Sequence, residues 1–301
     1  MSKTETWQDV RATGIGASEI GTVIGVSPFG TPFQLFSRKL GLIADITETP
    51  RMRAGKVLEP AIRDWYAEET GRASLDAFAS DSFDLVWEGE EGTTLRSKDH
   101  PWMFATPDGI IMDEDKGMGI LEIKVSSFAW SDGIPLHYRY QMQQQMAVCG
   151  CAWGAIAALV NGELTHCDIE RDEEMIAEII EKGAEFWQRV QDNDPPELTS
   201  KDKGAVTETY RQDDGSEIDL ADDAIELDET IANLKSTEKD LKARREEAEA
   251  KLYAMIGPAK VATLPNGVRW TTTTIPEKEM TRTPVYTRKA SRRYYRKVPK
   301  S

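Results

Sequence analysis

A short stretch of charged residues in the middle of the chain has the types and spacing of a hydrolytic metal site. Asp108 lies in a Thr-Pro-Asp-Gly segment, and Glu122 and Lys124 lie two residues apart in a Leu-Glu-Ile-Lys segment. If residues 120–125 form a strand, Glu122 and Lys124 project from the same face of it. A hairpin that turns at residues 113–117 then folds Asp108 back opposite this pair. The spacing therefore predicts that two carboxylates and one ammonium group meet.

This combination of groups favours a divalent cation. Two adjacent carboxylates repel each other, and a bound cation allows both to stay ionised. Oxygen ligands are typical of Mg²⁺, and Mn²⁺ is expected to substitute for it. We expect Asp108 and Glu122 to bind the metal, with the backbone carbonyl of Ile123 as a further ligand. Glu59, in a predicted helix, is a fourth candidate, either directly or through a water molecule.

Such a site suits phosphodiester hydrolysis. The metal would polarise a phosphoryl oxygen and lower the pKa of a bound water, and Lys124 would hold the attacking water and offset charge developing on phosphorus. A structural interpretation stays open at this point, because Pro-Asp-Gly is a common turn and a Glu–Lys pair on one strand face is usually a solvated ion pair.

The elements that must position these residues follow from hydrophobic periodicity and turn signals. They predict a mixed α/β domain over residues 1–197. The predicted helices are 18–24 with Ser18 near its N-cap, 32–40, 56–70, 137–148 and 173–190, and the predicted strands are 103–106, 109–112, 120–125, 155–160 and 164–170.

Beyond this domain the composition changes. Residues 198–218 are polar and predict a linker, and residues 219–280 predict a long amphipathic helix, with spacing that allows an imperfect coiled coil, followed by a β-hairpin turning at Asn266-Gly267. The helix is a candidate for docking a partner or for oligomerisation. Residues 281–301 form a basic tail that includes tyrosines; it either contacts DNA or is an unstructured segment that aids solubility.

Charge and composition exclude several classes of protein. The 301 residues are 40% hydrophobic and 30% charged with a net charge of −15, and the tail holds eight basic residues and no acidic ones. Residues 1–280 therefore carry a net charge of −23. No run of eighteen apolar residues and no signal peptide is found, so we expect a cytoplasmic protein without membrane association. Three cysteines without a C-x-x-C pair support neither a disulfide scaffold nor a cysteine zinc site.

Five separated blocks resemble the YqaJ-like viral recombinase family, which includes the lambda-type exonucleases and belongs to the PD-(D/E)XK nuclease superfamily. The blocks are RATGIGASE from Arg11 to Glu19, the pair Gly55-Lys56 with Glu59, TPDG around Asp108, LEIK around Glu122 and Lys124, and YRYQMQ around Gln141. Their order and spacing agree with the family over roughly residues 7–190.

The resemblance implies a restriction-endonuclease-like PD-(D/E)XK core, with a mixed central sheet flanked by helices and with the C-terminal helix, hairpin and tail added. It implies that Asp108, Glu122, Lys124, Glu59 and Gln141 are catalytic. It also implies that Arg11 and Ser18 bind the 5′-terminal phosphate of DNA, which agrees with the anion affinity of a guanidinium beside a hydroxyl at a helix start.

The activity implied is a magnesium-dependent exonuclease that degrades one strand of linear duplex DNA, 5′ to 3′, and leaves a 3′ overhang for homologous recombination. A phage or prophage origin in a bacterial host, a trimeric assembly and a single-strand-annealing recombinase as partner are implied with it. Two other functions stay open: a PD-(D/E)XK endonuclease that cuts internally, and a non-catalytic DNA-end or recombinase adaptor.

Overall fold

The structure, a computed structural model, describes residues 7–75, 83–89, 92–127, 130, 133–211, 215–275, 278–280, 286–288 and 291–297. The described chain divides into two compact units, an N-terminal unit of residues 1–214 and a C-terminal unit of residues 215–301. No helix among the described residues is both long enough and apolar enough to cross a bilayer.

The helices are α1 Trp7–Arg11, α2 Ala17–Val23, α3 Pro32–Lys39, α4 Pro50–Thr70, α5 Leu136–Cys149, α6 Glu173–Asp192, α7 Lys203–Thr209 and α8 Asp223–Ile256, with a 3-10 turn at Ser200–Asp202. The strands are β1 Ile15–Gly16, β2 Ser74–Leu75, β3 Phe83–Gly89, β4 Gly92–Ser97, β5 Met103–Ala105, β6 Gly109–Asp113, β7 Gly117–Ser126, β8 Trp153–Val160, β9 Glu163–Glu170, β10 Val261–Thr263, β11 Arg269–Ile275, β12 Lys278–Met280, β13 Tyr286–Arg288 and β14 Ser291–Lys297.

A five-stranded mixed sheet forms the centre of the N-terminal unit. Its order is β2-β6-β7-β8-β9, with β7 and β8 parallel and the other neighbours antiparallel. Parallel neighbours need a crossover connection, and α5 supplies it between β7 and β8. The expected mixed α/β fold, with a mixed sheet flanked by helices, is confirmed.

Helices cover both faces of this sheet because successive strand residues alternate between the faces. Ile62 and Tyr66 of α4 pack with Leu121 on one face, whereas Met142 of α5 joins the core that contains Ile120 on the other. The strand β7 is therefore buried on both sides, and its even-numbered residues face α5.

The predicted elements are present, with shifted ends. Helix α4 begins at Pro50 rather than residue 56, because the Thr49 hydroxyl accepts a hydrogen bond from the Met52 amide and Pro50 suits the first helical position. It ends at Gly71, whose φ of 72° is left-handed. Ser18 lies inside α2, which Gly16 caps.

A second sheet, of order β1-β5-β4-β3, was not predicted apart from β5. Its β1 leads directly into α2, which lies against α5. A Cβ atom on Gly21 would lie only 2.9 Å from the His137 Cβ, so a glycine is required for this approach. The close contact between α2 and α5 brings the Arg11–Ser18 segment towards α5.

Part of the predicted linker is folded. Within residues 198–218, the 3-10 turn and α7 belong to the N-terminal unit. The turn is fixed by Asp202, which is fully buried and accepts hydrogen bonds from the Thr31 hydroxyl, and from the Thr199 amide and hydroxyl at 2.7 Å each. Thr31 also caps α3, so the turn and α3 are linked through a buried carboxylate.

Replacing Asp202 by alanine is expected to lower the free energy of unfolding by about 2–3 kcal/mol, because buried donors lose a charged acceptor. Burial alone would raise the pKa of Asp202, but the hydrogen bonds from Thr31 and Thr199 hold it below its usual 3.8. A lowered pKa in the folded state stabilises the protein above about pH 4, and this contribution is lost as the pH falls through the lowered value.

Urea denaturation near neutral pH and at acid pH measures both effects. The control is Glu197→Ala, an exposed carboxylate a few residues away. Equal stability of the two variants near neutral pH would show that the Asp202 contacts do not stabilise the fold.

The C-terminal unit contains the predicted long helix and hairpin. Helix α8 has 34 residues, and β10 and β11 pair antiparallel around the predicted turn at Asn266-Gly267. Strand β14 pairs with β11 along seven residues. This part of the expected basic tail is thus a strand of a three-stranded sheet, of order β10-β11-β14.

Candidate active site

The β6–β7 hairpin brings Asp108 and Glu122 together, as the spacing predicts. Gly109 pairs with Leu121, so Asp108 and Glu122 occupy the next positions at the open end of the hairpin. The Asp108 Oδ2 accepts a hydrogen bond of 2.6 Å from the Ile123 amide. This bond fixes the Asp108 carboxylate against the strand that carries Glu122 and Lys124.

Glu122 is held at both carboxylate oxygens. Its side chain is buried, with 2% of the residue exposed. The Gln141 Nε2 donates to Oε1 and the Gln145 Nε2 donates to Oε2, each at 2.6 Å. Lys124 also donates to Oε1. Residues 141 and 145 lie one turn apart on α5, so the helix presents both amides to the same carboxylate.

The electrostatics at Asp108 are those of a carboxylate that lies beside a second carboxylate. Burial raises the pKa of Asp108 well above its usual value, and the nearby Glu122 raises it further. The charge of Lys124 and the hydrogen bond from the Ile123 amide lower the pKa of Asp108, but by less than burial and Glu122 raise it. A divalent cation between the two carboxylates would remove this penalty.

Lys124 remains a cation in this setting. Burial lowers the pKa of its ammonium group, but the negative charges of Glu122 and Asp108 outweigh burial and raise the pKa overall. The Nζ atom also lies 5.0 Å from the centre of the Tyr138 ring, within cation–π range. Lys124 is therefore positioned as a charged hydrogen-bond donor.

Glu59 lies near the pair without joining it. Its side chain is 31% exposed and forms an ion pair of 2.7 Å with Arg63. Burial raises the pKa of Glu59, and the charge of Glu122 raises it further, which places the two carboxylates within electrostatic reach. Among the described residues, no three side chains of His, Cys, Asp or Glu lie close enough to share a metal ion.

The donor set present fits a hard cation with few protein ligands. Mg²⁺ is usually held by one or two carboxylates and keeps several waters. Asp108 and Glu122 supply one half-buried and one buried carboxylate. The Ile123 carbonyl and a water-mediated contact from Glu59 stay predictions.

Arg11 and Ser18 lie beside this centre, on a shared cavity of about 100 Å³. The same cavity is lined by Gln141 and Gln145. Gln145 donates to Glu122, but its buried Oε1 has no hydrogen-bond partner among the described residues. The cavity therefore connects the guanidinium of Arg11 to the amides that hold Glu122.

Arg11 is fixed by an ion cluster with Glu19 and Lys39 that the sequence pattern did not predict. The Glu19 carboxylate accepts from Arg11 at 3.0 Å and from Lys39 at 2.7 Å, and it also accepts from the Gly16 amide. Burial raises the pKa of Glu19, but Lys39 and Arg11 outweigh burial and bring it to about 2. The Gly16 amide is thus occupied by Glu19, and Arg11 and the exposed Ser18 both line the cavity.

Gln145 joins the site as a residue that the sequence left undecided. Helical spacing shows that Gln141 shares a face with either Gln144 or Gln145, and the sequence alone left that choice open. In the structure Gln144 donates instead to the backbone oxygens of Ile15 and Phe104, at 2.8 and 2.9 Å. It links α5 to the second sheet.

Comparison with known proteins identifies a family and several similar proteins. The model of the YqaJ-like viral recombinase domain matches residues 6–152. The uncharacterized protein YqaJ of Bacillus subtilis (strain 168) is 28% identical over 197 residues, which are 62% of this chain and 56% of that protein. The chain thus spans little more than half the length of this curated relative.

Two solved structures show more distant likeness. An alkaline exonuclease from Laribacter hongkongensis is 24% identical, with a TM-score of 0.47, over 63% of this chain and 94% of that one. A phage related exonuclease from Haemophilus somnus 129PT is 13% identical, with a TM-score of 0.42, over 62% of this chain and 99% of that one.

Proposed function

We propose that this chain, whose residues 6–152 match the model of the YqaJ-like viral recombinase domain, is a magnesium-dependent exonuclease of that family. The proposed substrate is linear duplex DNA, of which one strand is degraded 5′ to 3′ to leave a 3′ overhang. The observation that carries the proposal is Glu122, a buried carboxylate held at both oxygens beside a second, half-buried carboxylate, Asp108.

The roles of the residues follow from their contacts. Asp108 and Glu122 would hold Mg²⁺, with Mn²⁺ as a substitute, and the bound cation would supply an activated water and polarise the phosphate. Lys124 orients the attacking water and offsets the charge that develops on the phosphoryl oxygens. Gln141 and Gln145 keep the Glu122 carboxylate in one orientation, which lowers the cost of assembling the site.

The cavity beside this centre supports recognition of a DNA end. Arg11 presents a guanidinium that Glu19 holds in place, and guanidinium groups bind phosphate with paired hydrogen bonds. Ser18 adds a hydroxyl on the same cavity. We assign these two residues to the 5′-terminal phosphate.

Digestion of linear duplex labelled at either terminus tests the activity. We expect the 5′ label to be released first in Mg²⁺, no release with chelator, and no cleavage of closed circular duplex. The Asp108→Asn protein, purified in parallel, controls for contaminating nucleases. Cleavage of the closed circle would indicate an endonuclease instead, and an inactive protein with intact DNA-end binding would indicate an adaptor.

Replacing Arg11 by alanine is expected to reduce the preference for 5′-phosphorylated ends, because the mutant loses the charged phosphate ligand. The rate on 5′-hydroxyl ends should change little, and a lost charge-assisted pair corresponds to roughly a tenfold or larger loss on phosphorylated ends. Initial rates on the two substrates measure the ratio. Arg189→Ala, on the surface of α6, is the charge-matched control. An equal loss of rate on phosphorylated and hydroxyl ends would show that Arg11 does not bind the 5′-phosphate.

Two further features rest on the family resemblance alone. We propose a trimeric assembly of the nuclease and a single-strand-annealing recombinase as its partner. Light scattering and co-purification of the two proteins test these features separately from the nuclease activity.

A further inference from the structure

Helix α8 exposes a stripe of large apolar side chains. Leu227, Ile231, Leu234 and Leu241 are 64%, 50%, 64% and 56% exposed. A contiguous apolar stripe of this kind usually marks an interaction surface. Among the described residues of its own unit, α8 is covered only near its C-terminal end, where Ile256 is buried and Tyr253 packs against Trp270.

The stripe has the spacing of a coiled coil. Ala224, Leu227, Ile231, Leu234 and Leu241 follow alternating steps of three and four, with Glu238 at the one position of the series occupied by a charge. In heptad terms, 224, 231 and 238 are a positions, and 227, 234 and 241 are d positions. This narrow seam is the one that a second helix covers.

The half of the helix that carries most of the stripe lacks local support. Ion pairs one turn apart join residues between 240 and 251, such as Asp240 with Arg244 and Glu247 with Lys251. Within residues 223–239, which the structure describes in full, no ion pair of this kind is present. A partner helix would supply the missing stabilisation, because apolar packing and not propensity stabilises most helices.

The charges of α8 are segregated along its length. Residues 223–229 contain four acidic residues and no basic one, whereas residues 235–245 contain five basic and two acidic residues. Two parallel copies would place acidic segment against acidic segment. Two antiparallel copies would place each acidic segment against a basic one.

We propose that α8 pairs with α8 of a second copy of the chain as an antiparallel coiled coil. The register that matches a to d positions sets Ala224 opposite Leu241 of the partner subunit, and Ile231 opposite Leu234 of the partner subunit. Glu238 then faces Leu227 of the partner subunit. A parallel pair would instead set Glu238 against its own copy, which places two like charges in the seam.

The flanking charges agree with the same orientation. In this register Asp223 lies near Arg244 of the partner subunit, and Asp228 lies near Lys235 and Lys242 of the partner subunit. These are opposite charges at the e and g positions, which select partner and orientation in coiled coils. In the parallel alternative Asp223 would lie beside Asp228 of the partner subunit. The pairing is independent of the proposed nuclease function.

Disulfide trapping in the full-length chain tests the orientation. In a Cys167→Ser background, which removes the exposed native cysteine, we expect Ala224→Cys combined with Leu241→Cys to give a covalent dimer on oxidation. Each single variant should stay monomeric on a non-reducing gel. In the antiparallel pair, position 224 lies about 25 Å from position 224 of the other copy, far beyond the roughly 7 Å limit of a disulfide.

The outcomes are distinct. Crosslinking of the single variants would show a parallel pair, and absence of crosslinking in the double variant would show that the helices do not pair; either result overturns the proposal. A trimer formed by the nuclease units would not give this crosslinking pattern, because antiparallel helices are related by a twofold axis and not by a threefold one.

A pair of double variants provides a second measurement. Ile231→Asp with Leu234→Asp places charges in the central layers and is expected to halve the mass measured by light scattering. Ser236→Asp with Ala243→Asp adds the same charge on the outer face of the helix and should leave the mass unchanged. Circular dichroism checks that both proteins remain folded, and an unchanged mass in the first variant would contradict the pairing.

Discussion

The Lys124→Ala protein is expected to bind DNA and fail to cut it. Removal of one charge-stabilising donor typically lowers a rate by about 10²–10³-fold, and Lys124 combines that role with orientation of the water. Glu122 keeps the amide donors of Gln141 and Gln145 in the variant, so its carboxylate stays in place. We therefore expect the loss of cleavage to come from a slower chemical step and not from weaker DNA binding.

Single-turnover rates on 5′-phosphorylated duplex in Mg²⁺ measure the chemical step, and fluorescence anisotropy measures binding. Lys116→Ala is the matched control: this lysine lies at the turn of the same hairpin and pairs with Asp168 at 2.7 Å. Cleavage by the Lys124 variant at the rate of the Lys116 variant would exclude Lys124 from the reaction. Parallel loss of DNA binding would assign it to substrate affinity instead.

The hairpin at the centre of the site was predictable because its determinants are local. Asp113 Oδ1 accepts hydrogen bonds from the amides of Asp115 and Lys116, and Gly117 adopts a φ of 71°. These turn residues fix the register, and the register places Asp108 next to Glu122. The chemistry of the central pair follows from sequence for this reason.

Residues that meet across long separations were not predictable in the same way. Glu19 binds Lys39, twenty residues away, and Asp202 binds Thr31 from 171 residues away. Neither contact leaves a local periodic signal, so the ion cluster behind Arg11 was missed and the folded turn was assigned to a linker. The choice between Gln144 and Gln145 depended on the second sheet, of which only β5 was predicted.

Replacing Asp108 by asparagine is expected to stabilise the metal-free protein and to abolish cleavage. Asparagine retains an oxygen that accepts a hydrogen bond from the Ile123 amide, while it removes one of two neighbouring negative charges. Relief of this repulsion should raise the free energy of unfolding by about 1 kcal/mol, which corresponds to a rise in Tm of about 2–4 °C at this size.

Thermal unfolding with and without Mg²⁺ separates the two effects. The wild-type protein should gain Tm in Mg²⁺ because a ligand that binds only the folded state stabilises it, and the Asp108→Asn protein should gain little. Asp115→Asn, an exposed carboxylate at the turn of the same hairpin, should leave both Tm values unchanged. A destabilised Asp108→Asn protein that still responds fully to Mg²⁺ would show that the metal is held elsewhere. A more stable, metal-insensitive and inactive protein would show that the Asp108 charge limits stability and is required for function.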